Sequence, residues 1–209
     1  MPTTETIILF MAAALVLNVS PGPSIAYVMS RSFGQGQTAG LVSALGLGTG
    51  SLLHAIGATL GLSAVVAYSP MAYGAVKYLG ATYLVYLGVG LLRRRPVRLA
   101  GAVPPRLSLG RVYWQGVLTE ILNPKVALFF LSFLPQFVDP ARGSVAGQTL
   151  FFGVLFHVTG VPINMLVAVA GSAIAGSFSR NPVLERTRDW LSGTVLIGLG
   201  VRLALSERR

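Results

Sequence analysis

The sequence predicts an all-α integral membrane protein with six transmembrane helices, arranged as two inverted three-helix repeats with broken helices in spans 1 and 4. Three observations lead to this fold class. Charged residues are scarce and clustered, two apolar segments are interrupted by proline, and the second half of the chain repeats features of the first.

The distribution of charge excludes a soluble fold. Hydrophobic residues make up 53% of the 209 residues and charged residues 11%, about half the charged share of a soluble domain. No charged residue occurs between Glu5 and Arg31, between Arg31 and Lys77, or between Arg142 and Arg180. Because about 20 apolar residues cross a bilayer, each of these stretches holds at least one membrane span.

Six spans are predicted, separated by polar or proline-containing turns at Arg31–Gln37, Ser69-Pro70, Asp139–Gly143 and Arg180–Asp189 and by one longer basic segment. Their approximate ranges are 6–28, 39–67, 71–92, 112–135, 145–176 and 189–206. We expect the first segment to remain as a span rather than be cleaved as a signal peptide. The domains are then a first three-helix repeat (1–92), a basic cytoplasmic loop (93–111) and a second three-helix repeat (112–209).

The net charge of +10 indicates orientation in the membrane rather than nucleic-acid binding, because no soluble face remains to present a basic patch. Six arginines lie in the segment 93–111, and cytoplasmic loops are enriched in basic residues. The first, third and fifth loops carry ten arginines and the opposite side carries three. This count predicts that both termini lie outside.

The repeat is visible at an offset of 103 residues, which aligns the chain's two histidines, His54 and His157, and also Pro21 with Pro124. Segments 41–67 and 144–170 share eight identities in 27 positions, and 77–92 shares seven in 16 with 189–204 at an offset of 112. Leu, Gly, Val and Ala are common in any span, which is the alternative explanation. Each half has three spans, so the second half is inverted, as in many transporters with central binding sites.

The first span contains the sequence NVSPGPS, with two prolines around a glycine. Proline removes a backbone donor, and freed backbone groups in a membrane are tolerated only against protein or a watery cavity. Helix ends formed in this way can bind charged groups. The candidate substrate-binding residues here are Asn18, Ser20, Pro21, Gly22 and Pro23; the alternative is a kink that only improves packing.

The fourth span has the corresponding break at Asn123-Pro124-Lys125, preceded by Glu120. Ionisable groups within spans are expensive and usually functional, so Glu120, Asn123, Pro124 and Lys125 complete the candidate site. The alternative is that the span begins later and that both charges extend to the cytoplasmic interface.

Both histidines lie on faces with small residues, which lets helices approach closely. His54 shares its face with Gly46, Gly50, Gly57 and Gly61, and His157 with Gly153, Gly160 and Asn164. We therefore expect both to face protein. They are candidates for proton coupling, although a plain inter-helix hydrogen bond explains their placement equally well.

No catalytic set, metal-ligand spacing, phosphate loop or cofactor motif is present, and the chain has no cysteine. The sequence therefore favours neither an enzyme nor a metalloprotein.

Three segments resemble the lysine-exporter and homoserine/threonine-exporter family, often called LysE/RhtB. They are NVSPGPSIAYVMSRSFGQGQTAG (18–40), KYLGATYLVYLGVGLL (77–92) and residues 116–139 with their LNPK and FLPQFVD motifs. The resemblance covers nearly the whole chain. On these positions, Pro21, Gly22 and Pro23 match the family's broken first helix, and Asn123, Pro124 and Lys125 match its counterpart.

The resemblance implies a multi-pass inner-membrane exporter of amino acids, driven by the proton gradient and often a homodimer, with the lipid bilayer and a small-molecule substrate as its partners. Because spans 2, 3 and 5 lack acidic residues, neutral amino acids or homoserine-like compounds are favoured over dibasic ones. The alternatives are another small solute or a metal cation, or, in a different class, a membrane scaffold that transports nothing.

Overall fold

The computed structural model describes residues 2–68 and 106–173, together with isolated helical residues between 78 and 93 and between 190 and 205. Within the two continuous ranges every regular element is helical. The elements are α1 (Thr4–Val19), α2 (Pro23–Gln35), α3 (Gln37–Tyr68), α4 (Leu109–Ile121), α5 (Pro124–Leu128), a π-helical turn (Phe129–Phe133), 3-10 turns (Leu134–Phe137 and Pro140–Arg142) and α6 (Val145–Ala173).

Two of the six predicted spans correspond to helices that are long and apolar enough to cross a membrane, and two more do so if each bent helix pair is counted as one span. The first two are the single helices α3 and α6. The other two are bent pairs: α1 and α2 meet at 48°, and α4 meets the segment 124–137 at 45°. Predicted spans 71–92 and 189–206 and most of the basic segment 93–111 lie outside the two continuous described ranges.

The polar turn predicted over Arg31–Gln37 is wrong in extent. Helix α2 continues to Gln35, and one residue, Gly36, separates it from α3. The helix continues because Arg31 and Gln35 lie one turn apart: the Arg31 guanidinium donates to the Gln35 side chain (3.2 Å) and to that of Gln115 on α4 (3.0 Å). These polar residues form a helical face against α4 rather than a loop.

Helix α3 packs between α4 and α6, and glycines permit the approach to α4. A methyl group on Gly46 would overlap the backbone carbonyl oxygen of Tyr113, and one on Gly50 would lie 2.5 Å from Cβ of Glu120. The predicted close-packing face is therefore confirmed at these two positions. At Gly57 and Gly61 a methyl group would meet nothing within 4 Å among the described residues.

A buried aromatic cluster joins α1, α6 and the segment after the second break. Phe10 contacts Phe152 with ring centroids 4.7 Å apart, and Phe129 contacts Phe156 at 5.0 Å. In contrast, large apolar side chains on the outer surface are exposed, including Leu60, Trp114, Leu122 and Leu166. An apolar exterior of this kind is compatible with a surrounding bilayer. The aromatic cluster lies inside the protein and packs against the segment that follows the second break.

Candidate functional site

The first break lies between Val19, where α1 ends, and Pro23, where α2 begins. Because residue 21 is proline, the carbonyl of Leu17 lacks the amide donor that a continuous helix would supply four residues later. The amide of Ser20 is shared between the carbonyls of Val16 (3.0 Å) and Leu17 (3.2 Å). The carboxyl end of α1 therefore presents backbone oxygens with spare accepting capacity.

The second break has the same backbone arrangement. Helix α4 ends at Ile121. Because residue 124 is proline, the carbonyl of Glu120 lacks the amide hydrogen bond that a continuous helix would supply four residues later. The amide of Asn123 donates to that carbonyl at 3.1 Å. Shifted by 103 residues, this is the same hydrogen bond as the one from the Ser20 amide to the Leu17 carbonyl. The Asn123 side chain then caps the restarted helix by accepting from the amide of Lys125 at 3.1 Å, as an N-cap residue does.

The two breaks contact each other through four buried side chains. Lys125 donates its ammonium to the carbonyl oxygens of Leu17 and Ser20, at 2.9 Å each. The Asn123 amide donates to the Ser24 hydroxyl at 2.9 Å, and that hydroxyl donates to Glu120 Oε2 at 2.5 Å. The structure thus brings the Asn123–Lys125 break against the Ser20–Ser24 break.

Glu120 and Lys125 are both buried, with exposed fractions of 5% and 7%. Both side chains therefore stay inside the helix bundle, which argues against the alternative that they extend out to the membrane interface. Within the described residues no direct ion pair joins them. Each instead takes its partner from the first break, Glu120 from the Ser24 hydroxyl and Lys125 from backbone carbonyls. The two opposite charges lie in one polar cluster without neutralising each other directly.

Gly22 provides room for the Lys125 side chain. A Cβ built on Gly22 would lie 3.1 Å from the Lys125 ammonium. Its φ of −168° is extended backbone that any residue adopts, so glycine contributes space here and is not needed for its conformation. Pro23 follows as the first residue of α2, where a missing amide hydrogen costs nothing.

Two predicted site residues direct their side chains elsewhere. The Asn18 amide donates to the Thr159 hydroxyl on α6 at 3.2 Å, and the Ser20 hydroxyl donates to the carbonyl of Val16 in its own helix at 2.7 Å. Ser20 therefore contributes its carbonyl to the cluster, and Asn18 anchors α1 to α6. Sequence reasoning missed Ser24 as a site residue; the available signal was a hydroxyl directly after the Pro-Gly-Pro break.

Both histidines face protein, as predicted, and each hydrogen-bonds to a neighbouring helix. His54 Nε2 lies 3.0 Å from the backbone carbonyl oxygen of Glu120, and its ring stacks on Phe130. His157 Nδ1 lies 3.0 Å from the carbonyl oxygen of Gly48 and 3.1 Å from the Ser51 hydroxyl. Because a carbonyl only accepts, the bonded nitrogen of each ring carries the hydrogen. The residues that the structure describes include no cluster of three or more metal-ligating side chains.

A chain with two broken spans whose polar interruptions meet inside a helical bundle has the features of a membrane transporter. The chain matches the LysE type translocator family over residues 15–207. It therefore belongs to the LysE family, whose members are membrane translocators and not enzymes.

Relatives match over almost the whole chain. An uncharacterized membrane protein of Vibrio cholerae is 30% identical over 201 residues, covering 95% of this chain and 96% of that protein. One from Pseudomonas aeruginosa is 31% identical over 190 residues, covering 88% of each. A leucine efflux protein of Salmonella typhimurium is 24% identical over 196 residues, covering 93% of this chain and 92% of the relative. No solved structure matches the chain significantly.

Proposed function

We propose that this protein exports neutral amino acids across the inner membrane and binds them where the two breaks meet. The observation that carries the proposal is the burial of one carboxylate (Glu120) and one ammonium (Lys125) beside the helix ends that the two breaks create. A zwitterion has the complementary pair of charges. The leucine efflux activity named for the Salmonella relative supports the same substrate class.

In the proposed complex the substrate carboxylate binds near the amino end of α2, where Gly22 leaves space and the helix dipole favours negative charge. Lys125 lies beside this position and provides a counter-charge. The substrate ammonium binds towards Glu120 and the carbonyls that end α1. Because the site's own charges sum to zero, a neutral amino acid adds no net charge, whereas a dibasic one would add an unpaired cation.

The direct test measures efflux of radiolabelled leucine, homoserine, threonine and lysine from cells with and without the protein. We expect faster efflux of the neutral compounds and no change for lysine. The Lys125→Ala variant should insert normally and lose this gain. Equal efflux from both cell types for every compound would contradict the proposal.

We further propose that export is driven by the proton gradient, with His54 and His157 as candidate carriers. His54 lies against the second break, where its Nε2 bonds the backbone carbonyl of Glu120, and an imidazole ring can take up and release a proton. A His54→Gln variant should retain exchange of labelled for unlabelled leucine and lose its response to an imposed pH gradient. Unchanged pH-driven efflux in both His54→Gln and His157→Gln would show that the rings serve only as inter-helix hydrogen-bond donors.

The proposed architecture is a six-span inverted repeat. Two features support it: the equivalent hydrogen bonds at residues 17–20 and 120–123, and the similar bends of 48° and 45°. In an experimental structure, residues 6–92 should superpose on 112–206 after rotation about an axis in the membrane plane. Halves that run in the same direction would exclude this arrangement.

A further inference from the structure

The carbonyl oxygens of Leu17 and Glu120 are equivalent in the two breaks but have different partners. The Glu120 carbonyl is bonded by His54 from α3. Shifted by 103 residues, the equivalent of His54 is His157, but His157 hydrogen-bonds to the carbonyl of Gly48 and not to that of Leu17. The Leu17 carbonyl is bonded by the ammonium of Lys125, which comes from the opposite break.

The first break therefore differs from the second in accepting a cation. Two backbone oxygens, from Leu17 and Ser20, converge on a single primary ammonium at 2.9 Å each. They lie at the carboxyl end of α1, where the aligned peptide dipoles favour positive charge. The surroundings are buried, since Ser20 is 0% exposed and Lys125 is 7% exposed. Such a pair of oxygens recognises an ammonium group whatever molecule carries it.

An amino acid has the same primary ammonium as the lysine side chain. Both cannot bond the same two oxygens, so an incoming substrate ammonium must displace Lys125. The displaced side chain has a new partner available, because Lys125 lies beside Gly22 at the start of α2, where the proposed function places the substrate carboxylate.

We infer that the Leu17 and Ser20 carbonyls form the ammonium subsite of the transporter and that Lys125 occupies it as an internal substitute until a substrate with both charges replaces it. This inference rests on the proposed function for the identity of the substrate. It makes both charges necessary: the ammonium takes the carbonyls, and the carboxylate receives the displaced lysine. A compound with an ammonium alone displaces Lys125 without offering it a partner.

The test uses two fragments of leucine on the purified full-length protein. Isoamylamine keeps the ammonium and lacks the carboxylate, whereas 4-methylpentanoate keeps the carboxylate and lacks the ammonium. The Lys125→Met variant leaves the two carbonyls free to bond the ligand ammonium. The affinity for isoamylamine should therefore rise ~10- to 100-fold, the change that one hydrogen bond to a charged group makes in a binding constant. The affinity for 4-methylpentanoate should fall. Lys125→Arg, which keeps a bonded cation, should bind isoamylamine as weakly as the native protein does.

Two controls separate a specific subsite from a general loss of positive charge. Arg111→Met removes an exposed cation from α4 and should change neither affinity. A structure of Lys125→Met with thallous ion, a monovalent cation visible by anomalous scattering, should show the ion bonded to the Leu17 and Ser20 carbonyls. Tighter isoamylamine binding with no ion at these oxygens would indicate only relief of repulsion and would overturn the inference, as would unchanged isoamylamine affinity.

Failure of the inference is distinguishable from failure of the proposed function. If the native protein exports leucine but Lys125→Met shows no thallous ion at the carbonyls, the inference fails and the function stands. If the ion binds at the carbonyls but no amino acid is exported, the ammonium subsite stands and its natural ligand is another primary amine.

Discussion

At the scale of single residues, Gly22 gives the sharpest prediction because its role is spatial. The Gly22→Leu variant should lose transport, since its side chain would occupy the volume of the Lys125 ammonium, 3.1 Å from the position of Cβ. Gly22→Ala is the matched control: its backbone is unstrained at φ −168°, and the flexible lysine end can yield to a single methyl group. Efflux of labelled leucine and the amount of membrane-inserted protein are measured for both. Normal export by Gly22→Leu would show that the Pro21–Pro23 break only improves helix packing and does not take part in transport.

Ser24 is the second residue whose replacement is informative. It donates to Glu120 and accepts from Asn123, so Ser24→Ala removes one buried hydrogen-bond partner from each of these side chains. Removing such a partner costs about 1–3 kcal/mol, and we expect this loss of stability together with reduced transport. Ser43→Ala is the control, because that buried hydroxyl donates to the carbonyl of Ala39 in its own helix and lies outside the two breaks. Thermal unfolding in detergent compares the two, and equal effects would argue against a special role for Ser24.

At the scale of helices, the approach of α3 to α4 depends on glycine at position 46. Gly46→Ala would push against the backbone of Tyr113, and overpacking of this kind costs about 1–3 kcal/mol. Gly57→Ala lies on the same helix with nothing described within 4 Å, so it should be neutral or stabilise by up to ~1 kcal/mol through helix propensity. The difference in unfolding free energy between these variants measures the helix contact. A Gly46→Ala protein as stable as Gly57→Ala would contradict the packing described.

The two breaks could be predicted from sequence because proline acts locally, through a missing donor that no tertiary contact restores. Their partners could not be predicted in this way. Whether Lys125 bonds a carboxylate or the Leu17 carbonyl depends on how α1 and α5 meet across more than 100 residues of chain. The extent of the glycine face depends on tertiary contacts in the same way: α4 bends after Ile121, and Gly57 and Gly61 have no neighbour among the described residues like the one that Gly46 has.

At the scale of the whole molecule, the arginine count predicts an orientation in the membrane that labelling can test directly. Since the chain contains no cysteine, single labels can be introduced without background. Arg98→Cys, in the densest arginine cluster, should resist an impermeant maleimide in intact cells and react after permeabilisation, because basic loops remain in the cytoplasm. Ser144→Cys, exposed before α6, should react from outside. Rapid labelling of Arg98→Cys in intact cells would reverse the topology.

The junction between α2 and α3 has a mechanical consequence. Gly36, at φ 91°, is the one residue between the two helices, and its amide still bonds the carbonyl of Ser32 at 3.0 Å. With a single residue between them, the two helices have no flexible linker that could absorb a change in their relative orientation. Any pivoting of α2 about the break at Pro21 is passed directly to α3 or concentrated in the two torsion angles of Gly36. The first broken helix and α3 are therefore coupled through a single residue, and the torsion angles of Gly36 limit how far α2 can move independently of α3.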